Sequence, residues 1–145
     1  MSFEQGPYLE VAAFCERVLH EQDGVLSLIR VIDRVTHTVV GPDAPLEMEP
    51  FDYQMVLVLK LKAGEARGRH EVKIERELPS GLRETETAPS WTVHLEGGNR
   101  GADLVMNVAM RFEVEGLYWF NVYFDGELLT RMPFEVRYSR MAGRT

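Results

Sequence analysis

The sequence predicts an all-β chain folded as an antiparallel sandwich of two sheets, with seven or eight strands. Three observations carry that expectation. Apolar residues recur at period two, as in Leu104–Val114, where every even position is apolar. Turn signals follow one another every 8–15 residues. No internal repeat and no βαβ alternation breaks the pattern. The 145 residues fit one domain, with residues 1–7 read as a mobile arm and 139–145 as a mobile tail. A chain of this size buries about two-thirds of its unfolded surface and needs no metal or disulfide staple.

Each element has its own signature. Tyr8–Leu19 places Val11, Phe14, Cys15, Val18 and Leu19 at helical spacing. It reads equally as a strand turning through Glu21–Gly24 into Val25–Val39, and the β character of the remainder favours the strand. Gly41–Pro50 carries three prolines and is a connecting loop. Tyr53–Lys62 alternates Met55, Leu57, Leu59 and Leu61 with polar positions. Ala63–Gly68 reads as a turn, and Arg69–Leu78 as the return strand, with Val72 and Ile74 inward and Glu71, Lys73 and Glu75 outward. Glu84–Thr87 reads as an acidic linker, Ser90–Leu95 as a short strand, and Glu96–Gly101 as a loop. Tyr118, Phe120, Val122 and Phe124 share the inner face of the next strand. Asp125-Gly126 then supplies the positive-φ pair of a tight hairpin. Pro133 marks the last strand as an edge or bulged strand, because proline cannot donate to a ladder. Glu115-Gly116-Leu117-Tyr118 resembles the tyrosine corner of immunoglobulin-like sandwiches.

Composition narrows function chiefly by exclusion. Apolar residues make up 45% and charged residues 27%, which excludes collagen-like, disulfide-rich and wholly disordered chains. A net charge of -7 makes nucleic acid and anionic membrane surfaces poor partners. The lone cysteine, Cys15, sits in an apolar setting beside an acid and reads as a core thiol in a reducing, cytoplasmic compartment. No basic region followed by an apolar run opens the chain, and no run approaches the ~20 apolar residues of a membrane helix.

No motif carries recognisable chemistry. The sequence has no Walker-type phosphate loop, no Gly-x-Ser-x-Gly elbow, no Cys-x-x-Cys and no His-Glu-x-x-His. Gly97–Gly101 precedes a strand and so lacks the helix N-terminus that holds a phosphate. His70 and His94 lie on strands and read as solvated or core-rim residues. Neither a cofactor nor a catalytic or metal-binding residue is therefore expected.

Two groups of residues stand out as candidate binding sites. Glu16, Arg17, Arg30, Asp33 and Arg34 place charge inside otherwise apolar strands, as a cross-strand ion network at a protein interface would. Trp119, Asn121 and Tyr123 share the outer side of one strand, where aromatic rings could stack on a sugar or another small ligand.

The run Phe14-Cys15-Glu16, then Asp23-Gly24, then Leu26–Ile29 through Ile32-Asp33-Arg34, resembles the opening of a family of small bacterial proteins classed as a domain of unknown function. Gly116–Phe120, Asp125–Leu129 and Met132-Pro133-Phe134 resemble that family's ending. The resemblance implies a β-sandwich and brings no catalytic residue or ligand. The expectation is a non-catalytic β-sandwich working through protein contacts, as a homo-oligomer or accessory subunit. The alternative is a small-ligand or carbohydrate-binding module.

Overall fold

A computed structural model describes residues 5–142. Residues 1–4 and 143–145, the outer parts of the predicted arm and tail, lie outside the described residues. The described chain is all-β, in seven strands: β1 (Tyr8–His20), β2 (Leu26–Ile32), β3 (Arg34–Val40), β4 (Phe51–Glu77), β5 (Ser90–Phe112), β6 (Gly116–Phe124) and β7 (Glu127–Met141). No helix among the described residues is long and apolar enough to cross a membrane.

These strands form one sheet of order β2-β1-β4-β6-β7-β3, with β5 on β4. The expectation of two separate antiparallel sheets is corrected on two counts. All seven strands share one hydrogen-bonded sheet, and β3 runs parallel to β7, from Arg34 opposite Glu135 to Val40 opposite Met141. Ser139–Met141, expected as tail, therefore lie within the ladder.

The correction has a local cause. Ala63–Gly68 and Glu96–Gly101 are not turns but the bent middles of β4 and β5, with bulges between Lys62 and Arg67. Straight, the 27 residues of β4 would far outrun a small domain at about 3.3 Å per residue. Gly64 and Gly98 pair across the bend, each in the positive-φ region that only glycine adopts freely. The ladder resumes on the far side at Arg67 opposite Glu96, so the two glycine clusters bend a continuous ladder. On its edge away from β5, the first half of β4 pairs with β1 and the second half with β6.

A second corner closes the curl. The predicted single strand Val25–Val39 breaks at Asp33, whose carbonyl accepts the Glu135 amide (2.9 Å). β2 and β3 are thus consecutive in sequence yet occupy the two ends of the strand order, so the ends of the sheet meet at Asp33. The two halves face each other across one core. Phe14 of β1 meets Phe120 of β6 edge-on at 4.9 Å and Phe134 of β7 at 5.6 Å. Leu57, Leu59 and Leu61 from one half and Val72, Ile74 and Val122 from the other fill the space between.

Three local expectations hold in modified form. Tyr8–Leu19 is a strand, as read. The inner face Tyr118, Phe120, Val122 and Phe124 is fully buried. The Tyr118 hydroxyl donates to the Val114 carbonyl (2.6 Å), which is the bond that defines a tyrosine corner. Pro133, however, lies in an interior strand. β7 carries its β3 ladder only from Glu135 onward, which leaves the β3 side of Pro133 without a partner strand.

Candidate functional site

The charged candidates of the first strands fall into two groups. Glu16 on β1 pairs with Arg30 on β2 (2.8 Å), and both side chains are well exposed. Arg30 takes a positive φ of 53°, and the β1–β2 register skips the Glu16–Arg30 pair. Arg17 lies beside them, opposite Ile29. Asp33 and Arg34 are instead carried round the corner to β7, where Arg34 lies opposite Glu135. Glu135 is in turn held by Arg137 at 2.7 Å. One network of all five residues does not form, because the chain changes sheet halves at Asp33.

Trp119, Asn121 and Tyr123 do share one side of β6, and they meet a carboxylate there. Glu75, expected to face solvent, is 5% exposed. Its Oε1 accepts from Asn121 Nδ2 (3.3 Å) and the Tyr123 hydroxyl (3.2 Å), and its Oε2 accepts from the Thr85 hydroxyl (2.7 Å). Burial alone would raise the Glu75 pKa. The bonds from Thr85, Asn121 and Tyr123, with Arg83 nearby, outweigh it and hold the carboxyl below its ordinary range. Burial and the Glu75 charge push the Tyr123 hydroxyl the other way, upward. Arg131 completes the cluster. It donates to Asn121 Oδ1 and to Glu77, both at 2.8 Å, and lies 4.3 Å from the Trp119 ring centre. Asn121 is buried, the Tyr123 hydroxyl is bonded and Trp119 is roofed by a guanidinium, so these groups bind one another.

The supposed linker is part of the same construction. Glu84–Pro89 folds back along β4: the Glu84 amide donates to the Arg76 carbonyl (2.8 Å) and the Ile74 amide to the Pro89 carbonyl (3.1 Å). Arg83 binds Glu77 at 2.9 Å.

His70 and His94 point to opposite faces, because His70 pairs with Val93 and His94 with Arg69. His70 instead stacks on Phe124 and bonds through Nδ1 to Asp125 (2.6 Å) and through Nε2 to the Arg67 carbonyl (2.7 Å). The Asp125 bond raises the imidazole pKa against the opposing effect of burial. Asp125 is lowered in spite of burial, through the Glu71 amide and His70. The Asp125 and Phe124 contacts of this clasp tie the β6–β7 hairpin to β4, and the Arg67 bond orients the ring.

Two apolar surfaces escaped sequence reading. The first is the back of the β2-β1-β4-β5 half. Cys15, Val56 and Val58 are buried there among Val11, Val18, Leu26, Leu28 and Val105. All belong to the four strands themselves, and no other described element contributes to the cluster. Burial raises the Cys15 thiol pKa, as its apolar setting predicts. The second is a cleft of about 320 Å³ where the two sheet halves part. Phe14, Leu57, Ile74 and Phe120 form its floor, and Trp91, Val108 and Met110 its walls. Arg76 stands at the mouth, bonded to Glu84 and, through Nη1, to the Arg111 carbonyl (2.9 Å).

Among curated proteins, none matches the sequence. One solved structure that overlaps it is the Pseudomonas fluorescens alkylpurine DNA glycosylase AlkC bound to DNA containing an abasic site analog, at 14% identity and a TM-score of 0.32. The overlap takes in 69% of this chain and 27% of that one, so this chain spans about a quarter of its length. At that TM-score it informs neither fold nor function. A family model matches residues 10–137, and the chain belongs to the family of unknown function DUF6941.

Proposed function

We propose that the protein is a non-catalytic β module that works by self-association through the apolar back of its first sheet half. The observation that carries this reading is the Cys15–Val56–Val58 cluster, whose flanking apolar residues Val11, Val18, Leu26, Leu28 and Val105 are only partly buried and all come from β1, β2, β4 and β5. The face runs to the free β2 strand, where Val31, opposite Cys15 in register, is 64% exposed. A free strand next to an apolar face is a template for a second chain.

A second copy of this chain is the fitting occupant. With net charge -7, two copies repel over most of their surface. Charges at its borders are paired where they meet it: Lys60 with Asp103 (3.1 Å) at one border, and Glu16 with Arg30 (2.8 Å) beside Gln54 and Asn107 at the other. Four strands about 4.8 Å apart, over some six residues, present on the order of 400 Å² in projection. A standard interface buries roughly 800 Å² per partner, so the dimer is expected to be concentration-dependent. The facing halves of the curled sheet and the Tyr118 corner support reading the scaffold as an immunoglobulin-like sandwich. The lone buried thiol supports a cytoplasmic setting.

Size-exclusion chromatography with light scattering tests the proposal. A mass that climbs from monomer toward dimer with concentration is expected. Val105→Asp and Leu28→Asp should abolish the climb. A wild-type chain that stays monomeric throughout, or a dimer indifferent to both substitutions, would sink it.

A further inference from the structure

The cleft between the sheet halves is unused by the contact surface proposed above, and its chemistry is specific. Its 320 Å³ lies within the range of small-molecule sites, and its floor and walls are hydrocarbon and aromatic. Arg76, Glu84 and Arg111 are the charged residues of its lining. The Arg76 side chain is 24% exposed, lies 5.7 Å from the Tyr118 ring centre, and is fixed by the Arg111 carbonyl. These bonds engage Nε and Nη1, and no described residue accepts from Nη2.

The partner of Arg76 is also informative. Glu84 comes from the folded-back 78–89 segment, not from a strand, and sets a carboxylate on the guanidinium at the mouth of the apolar slot. It lies where the head of a ligand with an apolar tail would lie. A guanidinium fork takes carboxylates in paired geometry, so a ligand carboxylate can exchange with Glu84 without changing the chemistry of the site.

We infer that this cleft binds a small amphipathic carboxylate, its tail between Phe14, Trp91 and Met110 and its head on Arg76 in place of Glu84. The 84–89 segment is the strap that the head displaces. The tail gains by leaving water, and the head fixes its direction.

Trp91 provides the readout. The chain has two tryptophans, and Trp119 lies outside the cleft, so Trp119→Phe leaves a single reporter in the wall. Octanoate is titrated into that variant, with octanol as the uncharged control and octyltrimethylammonium as the cationic one. A saturable change in Trp91 emission is expected with octanoate, about tenfold weaker with octanol and absent with the cation. Arg76→Gln should weaken octanoate about tenfold. Glu84→Gln, which removes the resident carboxylate and leaves the strap backbone in place, should tighten it severalfold. If Arg76→Gln fails to fold, the Glu84→Gln comparison decides alone. No saturable signal, equal binding of octanoate and octanol, or an unchanged affinity in Glu84→Gln would each overturn the proposal.

Discussion

Glu75→Gln separates the charge of the buried carboxylate from its shape. Glu75 accepts three side-chain hydrogen bonds while almost wholly withdrawn from water. Glutamine keeps one oxygen for Asn121 and Tyr123, but presents an amide donor to Thr85 and removes the charge from the other two bonds. Bonds to a charged group contribute about 1.5–3 kcal/mol against about 1 for neutral ones. Losing that assistance and reversing one bond should cost about 2–3 kcal/mol. Unfolding entropy of about 2.1 cal/mol/K per residue gives roughly 0.3 kcal/mol/K for 145 residues. The expected fall in Tm at pH 7 is therefore about 7–10 °C. Acid supplies the sharper test. The folded Glu75 pKa lies below its ordinary value of 4.5, so its contribution is complete above that value and is lost as pH falls through the folded one. The wild-type curve should descend to meet that of Glu75→Gln on acidification. Scanning calorimetry from pH 7 to pH 3 checks this. A gap under about 2 °C at pH 7, or a gap that widens in acid, would refute the reasoning.

Other perturbations probe the remaining joints. Both His70 nitrogens face acceptors, so the clasp needs the cation, and its pKa is raised. Its contribution is full below about 6.5 and fades as pH rises through the folded value. Wild-type Tm should thus fall more between pH 6 and pH 8 than that of His70→Gln, and parallel curves would exclude the clasp. Gly101→Ala drives a Cβ onto the Leu61 carbonyl, which is backbone and cannot rotate away. A loss of about 3 kcal/mol or more is expected in urea unfolding, and a neutral result would show that β4 and β5 separate freely there. Tyr118→Phe removes the bond to the Val114 carbonyl and should lower Tm by about 3 °C, for about 1 kcal/mol.

What could be read in the sequence was whatever repeats over short distances. The alternation through Tyr118–Phe124 placed four side chains in the core, and Asp125-Gly126 placed the hairpin. The sequence divides the two longest strands in half, because a glycine cluster looks the same in a turn and in a bend. Only the pairing of Gly64 with Gly98 distinguishes them, and that pairing joins positions on different strands. Alternation places Glu75 on the outer side, opposite to that of Ile74. In the structure it is buried, bound by Asn121 and Tyr123 and by Thr85, in a segment whose acidity and proline argue for a solvated linker. Arg83 and Arg131 both bind Glu77 beside it, and those cross-links outweigh local polarity.

The cleft shows why a site of this kind leaves no local trace. Leu57 and Ile74 line it together although they stand seventeen residues apart on one strand. Along a straight strand they would be roughly 55 Å apart, at about 3.3 Å per residue. The bend at Gly64 brings them to one floor, and the neighbouring bend at Gly97-Gly98 brings Trp91 and Met110 of β5 to facing walls. Each residue by itself carries only the signature of a core position, which alternation reports correctly and which says nothing of a void. Arg76 has a plainer signal, a cation at a position that alternation puts on the inner side with Val72 and Ile74. That signal gains meaning only once Glu84 has folded back to meet it. The glycine corners that misled the division into strands are thus the same features that build the cleft. A fold in which they were true turns would have had shorter strands and no such floor.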